Sequence, residues 1–272
     1  MLRAGLVLSL SLLCACLATN YDDPRGPRHA GDARREAVEA RAGRVLKVVT
    51  FNIKFAYEIE LAIDELERAG LADADAIALQ EMDRRGTERI AEALRMSWVY
   101  YPSSIHMHGR GFGNAILSRW PIADDRKIIL PHPSPGEERL RIAVAAEIAH
   151  PAGRFVVYSV HDATVTSPLG HRLAQVRTIL DDCAEHCGRL PVVLAGDYNT
   201  SDDRGLFATA EMHARRGFSP ATPTRLPTAR PWLGNESLDH VFVRGFDRLD
   251  YGVAQGIGAS DHRAVWVEIR MR

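Results

Sequence analysis
The chain has 272 residues, 46% of them hydrophobic and 25% charged, an ordinary globular composition that excludes a disordered or fibrous protein. Its 34 basic and 35 acidic residues nearly cancel, so no net field draws it toward nucleic acid or an anionic membrane. Only Lys47, Lys54 and Lys127 are lysines, and the arginine excess is read as composition rather than as a phosphate-binding pattern.

Residues 1–18 carry one early charge, Arg3, and then an uncharged run from Ala4 to Leu13, short of the ~20 residues that span a bilayer. The pattern predicts a secretion signal. It ends in Leu13, Cys14, Ala15 and Cys16, which resembles the lipobox of bacterial lipoproteins and makes Cys16 the candidate lipidated anchor. Cleavage after Ala18 is the alternative. Export to the periplasm, to a membrane surface or to the medium follows from either. Residues 19–44 have almost no aliphatic content and are predicted to be a solvated tether, with the folded domain at 45–272.

Within that domain, strand-like runs follow in order: Leu46 to Asn52, Ala76 to Gln80, Trp98 to Tyr101, Ala115 to Ser118, Ile142 to Ile148, Phe155 to Val160, Val192 to Ala195, His240 to Val243 and Ala264 to Ile269. Helical spacing joins Ile59, Ile63 and Leu66, then Ile90 and Leu94, then Leu173, Val176 and Leu180. Many strands that alternate only weakly, with few helices, predict an α+β sandwich of two sheets flanked by helices rather than a parallel Rossmann sheet. Cys183 and Cys187, four apart around His186, can form a bridge or can be one buried and one surface thiol. As a zinc site they lack a second cluster.

The polar residues fall where the apolar runs stop. Asn52 ends one run, Glu81 another, His161 another and Asp197 with Asn199 another, while Asp261 and His262 precede the last. A single carboxylate there is an ordinary turn cap. Repeated at strand after strand, the pattern describes a cleft whose sheets give rigidity and whose rim gives access.

The segments Thr50-Phe51-Asn52, Leu79-Gln80-Glu81, Gly113 to Arg119, His161, the helix with Arg172 and Gln175, Gly196 to Asn199, Leu238-Asp239 and Ser260-Asp261-His262 resemble, in order and spacing, the endonuclease/exonuclease/phosphatase superfamily. The resemblance implies a four-layer α/β/β/α sandwich of two mixed β-sheets, as in deoxyribonuclease I, and a hydrolase that attacks phosphorus with water in line. It implies a magnesium or manganese ion on Glu81, with Asn52 and Asp261 completing the shell directly or through water. It implies His262 as general base oriented by Asp239, Asp197 as holder of the water or taker of its proton, and His161 and Asn199 as donors to phosphate. Asn114 is a candidate substrate contact or, alternatively, satisfies a bent backbone. His106 and His108 are read as solvent-exposed loop residues. Asp162 departs from the leucine that many relatives carry and is read as a turn residue or, alternatively, as an extra carboxylate beside the metal or a hydrogen-bond partner of His161. The expected substrate is a phospholipid, a GPI-type lipid or a sugar or inositol phosphate, with Trp232 and Leu233 available to an acyl chain. An exported nuclease on DNA or RNA is the alternative, and a non-catalytic binding lipoprotein a second one. A monomer is expected.

Overall fold
The computed structural model describes residues 19–34, 44–106, 109–135, 138–230, 234–256 and 258–272. The expected signal segment with Cys16, His108, Trp232 and Leu233 lie outside the described residues.

The strands are β1 (His29–Asp32), β2 (Val45–Asn52), β3 (Ala76–Met82), β4 (Ser97–Ile105), β5 (Gly111–Ser118), β6 (Ile122–Ile129), β7 (Ile142–Ile148), β8 (Phe155–His161), β9 (Val192–Asp197), β10 (Ser219–Pro220), β11 (Asp239–Arg244), β12 (Phe246–Val253) and β13 (Val265–Met271). The helices are α1 (Ile59–Arg68), α2 (Arg84–Leu94), α3 (Leu169–His186) and α4 (Asp203–Arg215). One sheet has the order β1-β4-β5-β3-β2-β13-β12 and the other β10-β11-β9-β8-β7-β6. Both are mixed: β2 runs parallel to β3 and β8 to β9, and the other ladders are antiparallel.

Alternation along each strand builds three apolar layers. Val48, Ala78 and Ile116 of the first sheet meet Val144, Val157 and Val193 of the second. The opposite face of the first sheet, with Val49, Phe51 and Leu79, takes Ile63 and Leu66 of α1 and Ile90 of α2. That of the second, with Ala143, Tyr158 and Leu194, takes Val176, Ile179 and Leu180 of α3. The four-layer sandwich of two mixed sheets between helices is therefore the fold, and the weakly alternating runs are strands covered on both faces.

Polar side chains join the two sheets as well. Gln80 accepts from the Thr50 hydroxyl (3.3 Å) and donates to Ser159 Oγ (3.0 Å), which donates to the Leu79 carbonyl (2.8 Å). Asn114 donates from Nδ2 to the Ile142 and Ser159 carbonyls at 3.2 and 3.0 Å. These groups are all buried.

Two expectations are corrected. Residues 19–34 are not a solvated tether: β1 pairs antiparallel with β4, Arg28 forms a two-pronged pair with Asp125 (2.7 and 2.6 Å), and Lys127 Nζ donates to the Tyr21 and Gly26 carbonyls. A segment poor in aliphatics is held here by backbone ladder and charge rather than by a core. Cys183 and Cys187 are free, and both are buried, with Cys187 Sγ 3.2 Å from the Tyr158 hydroxyl.

Candidate active site
Register carries the strand-end residues to one rim. In the second sheet Asp197 stands opposite His161 on one side and Asp239 on the other, so three neighbouring strands end together. In the first sheet Asn52 stands opposite Gln80 at the ends of the parallel β2 and β3. β13 pairs with β2, which brings the loop before it, with Asp261 and His262, to the same end. Glu81, Arg141, His161, Asp197, Asp261 and His262 face one cleft of about 440 Å³, which Asn199 also lines.

Glu81 reaches the cleft through an irregularity. Between Leu79 and Met82 strand β3 carries one residue more than β5 opposite, and Glu81 takes a left-handed φ of 57°. Strict alternation would send the side chain after the inward Gln80 out toward the helices; the bulge turns it over the rim instead. Its Oε2 accepts from the Phe55 amide (3.0 Å). That amide belongs to a short turn, Lys54–Ala56, in which three non-glycine residues have φ of 40°, 57° and 51°. Asn199 also has a positive φ, 49°. Such backbone costs of order 1–3 kcal/mol per residue and collects where a site requires it.

Two linked groups sit in the cleft. His262 Nδ1 lies 2.9 Å from Asp239 Oδ2, which fixes Nδ1 as the donor and leaves Nε2 toward the cleft, 3.8 Å from Asp197 Oδ2. Asn52 Nδ2 lies between two carboxylates, 3.3 Å from Glu81 and 3.1 Å from Asp197, while its Oδ1 accepts from the Lys54 amide. Asn52 therefore orders the carboxylates in this arrangement, with its oxygen turned to the backbone. Asp261 lies 3.3 Å from Lys54 Nζ.

The electrostatics follow from burial and crowding. Burial pushes the Glu81 carboxyl up, against the pull of Arg141 and His262. It also pushes Asp197 up to about 7, with His262 pulling down and Asp239 pushing up. Burial opposes the charge on His262, but Asp239 and Asp197 overcome it and push its pKa up to about 10. Burial, with Arg141 and His262, holds His161 well below the usual histidine range, so His161 is neutral.

Besides Asn52, expected as a metal ligand, the structure changes the reading of four residues. Asn114 spends its amide on the Ile142 and Ser159 carbonyls of the other sheet, an inter-sheet role that neither of its two readings named. His161 meets the Arg141 guanidinium at 2.9 and 3.2 Å, and as a neutral ring it accepts from and orients that arginine. Asp162 is fully buried directly after β8, and both its oxygens lack a hydrogen-bond partner among the described residues, His161 included. Arg141 was not foreseen, although it directly precedes an apolar strand and obeys the same rule as the others. His106 is buried against Phe55, with ring centroids 4.4 Å apart, rather than solvent-exposed.

The donor set suits a hard cation. Glu81, Asp197, Asp239 and Asp261 offer oxygen, and the buried Asp239 Oδ1 has no hydrogen-bond partner among the described residues. Among the described residues no three His, Cys, Asp or Glu side chains already form a cage. Magnesium requires none, since it keeps several waters and binds through one or two carboxylates.

Residues 49–262 match the family described as Endonuclease/Exonuclease/phosphatase family. Among solved structures, the chain is similar to an endonuclease/exonuclease/phosphatase from Beutenbergia cavernae DSM 12333, at 23% identity and TM-score 0.65, covering 84% of this chain and 72% of that one. It is similar to D. rerio TDP2 complexed with single-strand DNA product, at 15% identity and TM-score 0.67, covering 84% and 99%. It is also similar to a mannosyl-6-phosphatase from Bacteroides thetaiotaomicron VPI-5482, at 18% identity and TM-score 0.62, covering 82% and 99%. No curated protein matches the chain.

Proposed function
The chain belongs to the endonuclease/exonuclease/phosphatase family, metal-dependent hydrolases of phosphate esters, and we propose that it acts outside the cytoplasm on the phosphate ester of a phospholipid, a GPI-type lipid or a sugar or inositol phosphate. The observation that carries the chemistry is the convergence of Glu81, Asp197, His262 and Arg141, from strand ends and loops of both sheets, on one cleft. Export rests on the charge and length of residues 1–18, with Cys16 as the anchor.

A phosphate ester is anionic and repels the nucleophile, so cleavage requires charge neutralisation, an aligned water and donors for the charge that develops. Glu81 and Asp261 would hold the divalent ion, with Asn52 ordering Glu81. When bound, that ion supplies positive charge to a non-bridging phosphate oxygen. Asp197 positions the water. His262 takes its proton at Nε2, and Asp239 balances the imidazolium through Nδ1. Arg141, seated on His161, donates to the phosphate oxygens with Asn199.

The test incubates the protein with bis(4-nitrophenyl) phosphate, phosphatidylinositol, sphingomyelin, a sugar phosphate and plasmid DNA, each with magnesium, manganese or EDTA. Metal-dependent release from a lipid or sugar phosphate that EDTA abolishes is expected. Cleavage of plasmid alone would make the enzyme a nuclease, and no turnover of any substrate would overturn the reading. Palmitate-analogue labelling that disappears in Cys16→Ser, with the protein in the membrane fraction, is expected for the anchor; an unlabelled cytoplasmic protein would refute export.

A further inference from the structure
Beside the catalytic cleft, where β3 leaves the rim for α2, lies a second groove of about 500 Å³, lined by Asp83, Arg84, Arg85, Gly109, Arg110 and Gly111. We propose that this groove is a second anion site, in which Arg84, Arg85 and Arg110 hold a phosphate of the substrate other than the one hydrolysed.

Charge is the first support. Three guanidinium groups surround one carboxylate, Asp83, and that carboxylate is already committed: it accepts from the Gly86 amide at 2.6 Å and from Arg110 at 2.8 and 2.6 Å. Arg84 and Arg85 are exposed, and no carboxylate pairs with either among the described residues. The groove therefore keeps a local positive excess that the near-neutral chain as a whole does not have.

Shape is the second. Gly111 forms part of the wall, and a Cβ there would stand 2.7 Å from the Tyr100 hydroxyl. That hydroxyl is buried and has no hydrogen-bond partner among the described residues, so a donor waits behind the wall without protein to satisfy it. Arg110 is fixed rather than free to sweep: besides Asp83 it donates to the Ala56 carbonyl at 3.0 Å, and its guanidinium lies 5.9 Å from the ring of Tyr57, which is 48% exposed. A pre-positioned arginine loses less entropy on binding phosphate than a mobile one does.

Position ties the groove to the reaction. Asp83 follows Glu81 with only Met82 between them, at the turn from β3 into α2. The turn that Arg110 holds at Ala56 is the turn whose Phe55 amide bonds Glu81. A substrate with a second phosphate would thus be held by that phosphate while its scissile group lies in the cleft, a contact made alike in ground and transition state.

The proposal rests on the phosphoesterase reading, and the experiment separates the two. The full chain and its Arg84→Ala/Arg85→Ala variant are compared, with magnesium, on bis(4-nitrophenyl) phosphate, a 5′-phosphorylated dinucleotide and inositol trisphosphate. The variant should raise KM for a substrate carrying a second phosphate, relative to KM for the one-phosphate diester, on the order of 10-fold, with kcat within about twofold. The substrate that shows the effect identifies whether the second phosphate belongs to a nucleotide or a polyol. An unchanged KM ratio for both overturns the proposal. Should the parent protein hydrolyse none of the three, the phosphoesterase reading has failed, and equilibrium dialysis with inorganic pyrophosphate decides the groove. Weaker binding by the variant than by the parent supports it, and equal binding overturns it.

Discussion

Gln80 and Glu81 are neighbours in one strand, yet they belong to two buried polar clusters built on opposite terms. Around Gln80 the groups are neutral, and Thr50, Ser159 and Asn114 link it or its neighbours across the sheets through ordinary hydrogen bonds. Around Glu81 the carboxylates crowd one another, Asp239 and Asp162 keep oxygens without hydrogen-bond partners among the described residues, and the backbone turns left-handed at Glu81 and Asn199. A satisfied neutral network holds a fold together. An unsatisfied charged one is tolerated because a ligand completes it.

The largest expected effect lies at the base. His262→Ala or Asp239→Asn should lower kcat by about 10²–10⁴, with a melting temperature that falls only as far as the loss of their buried pair requires. Steady-state kinetics and calorimetry on one preparation check both, and a variant of full activity would remove the pair from the mechanism.

Next comes Glu81→Gln, which should abolish metal-dependent turnover by about 10² or more and leave the metal-free protein no less stable. Burial already pushes the Glu81 carboxyl up, so its charge costs the folded state something that glutamine avoids. Thermal melts in EDTA would contradict the contrast if this variant melted well below the parent.

Asn114→Ala should behave the opposite way. It leaves the Ile142 and Ser159 carbonyls short of a donor, a loss of about 1–3 kcal/mol, with kcat near the parent value. Urea unfolding beside a rate measurement checks this, and a stable but inactive variant would return Asn114 to the site.

The last effect is a slope. The His262 pKa rises from 6.5 to about 10 in the fold, so its stabilising contribution is whole below about pH 6.5 and is lost as pH climbs through 10. The Asp197 pKa rises from 3.8 to about 7, so its contribution is whole below about pH 4 and fades as pH climbs through 7. Both carry the same sign. The metal-free protein should lose stability steadily from about pH 4 to 10, and magnesium, by offsetting the carboxylates and releasing the His262 proton, should flatten the decline. Melting curves across that range, with and without the ion, measure it.

How much of this could be read from the sequence depends on where hydrophobicity and chemistry coincide. Central strands such as β7 and β9 are apolar except for Glu147 and the terminal Asp197, and their bounds were legible to within two residues. The edge strands β1, β6 and β12 were not, because a strand with a face open to water carries Asp and Arg and resembles a loop. In the site, Glu81, Asp197 and His262 were legible as polar residues at the limits of apolar runs, and Asp239 only through the family resemblance. Asn114 misled because it also sits beside glycines, yet it lies within β5 with Ala115 to Ser118 still to follow, a mid-strand place that suits an inter-sheet bond. Arg141 escaped notice beside Arg139 in an arginine-rich chain, although it stands at the limit of an apolar run as the others do. The unsatisfied oxygens and the local charge excess beside α2 depend on three-dimensional neighbours and leave no mark in one dimension.

The extra residue in β3 has a consequence for how this enzyme could change over time. Because side chains alternate with a period of two, deleting that single position would restore regular pairing with β5 and could leave Gln80 in its bonds. The acid beyond it would then be lost from the mouth or turned among the helices. Inheritance can therefore silence the chemistry here by one codon's excision without dismantling the scaffold, and restoring that codon would be the corresponding route back.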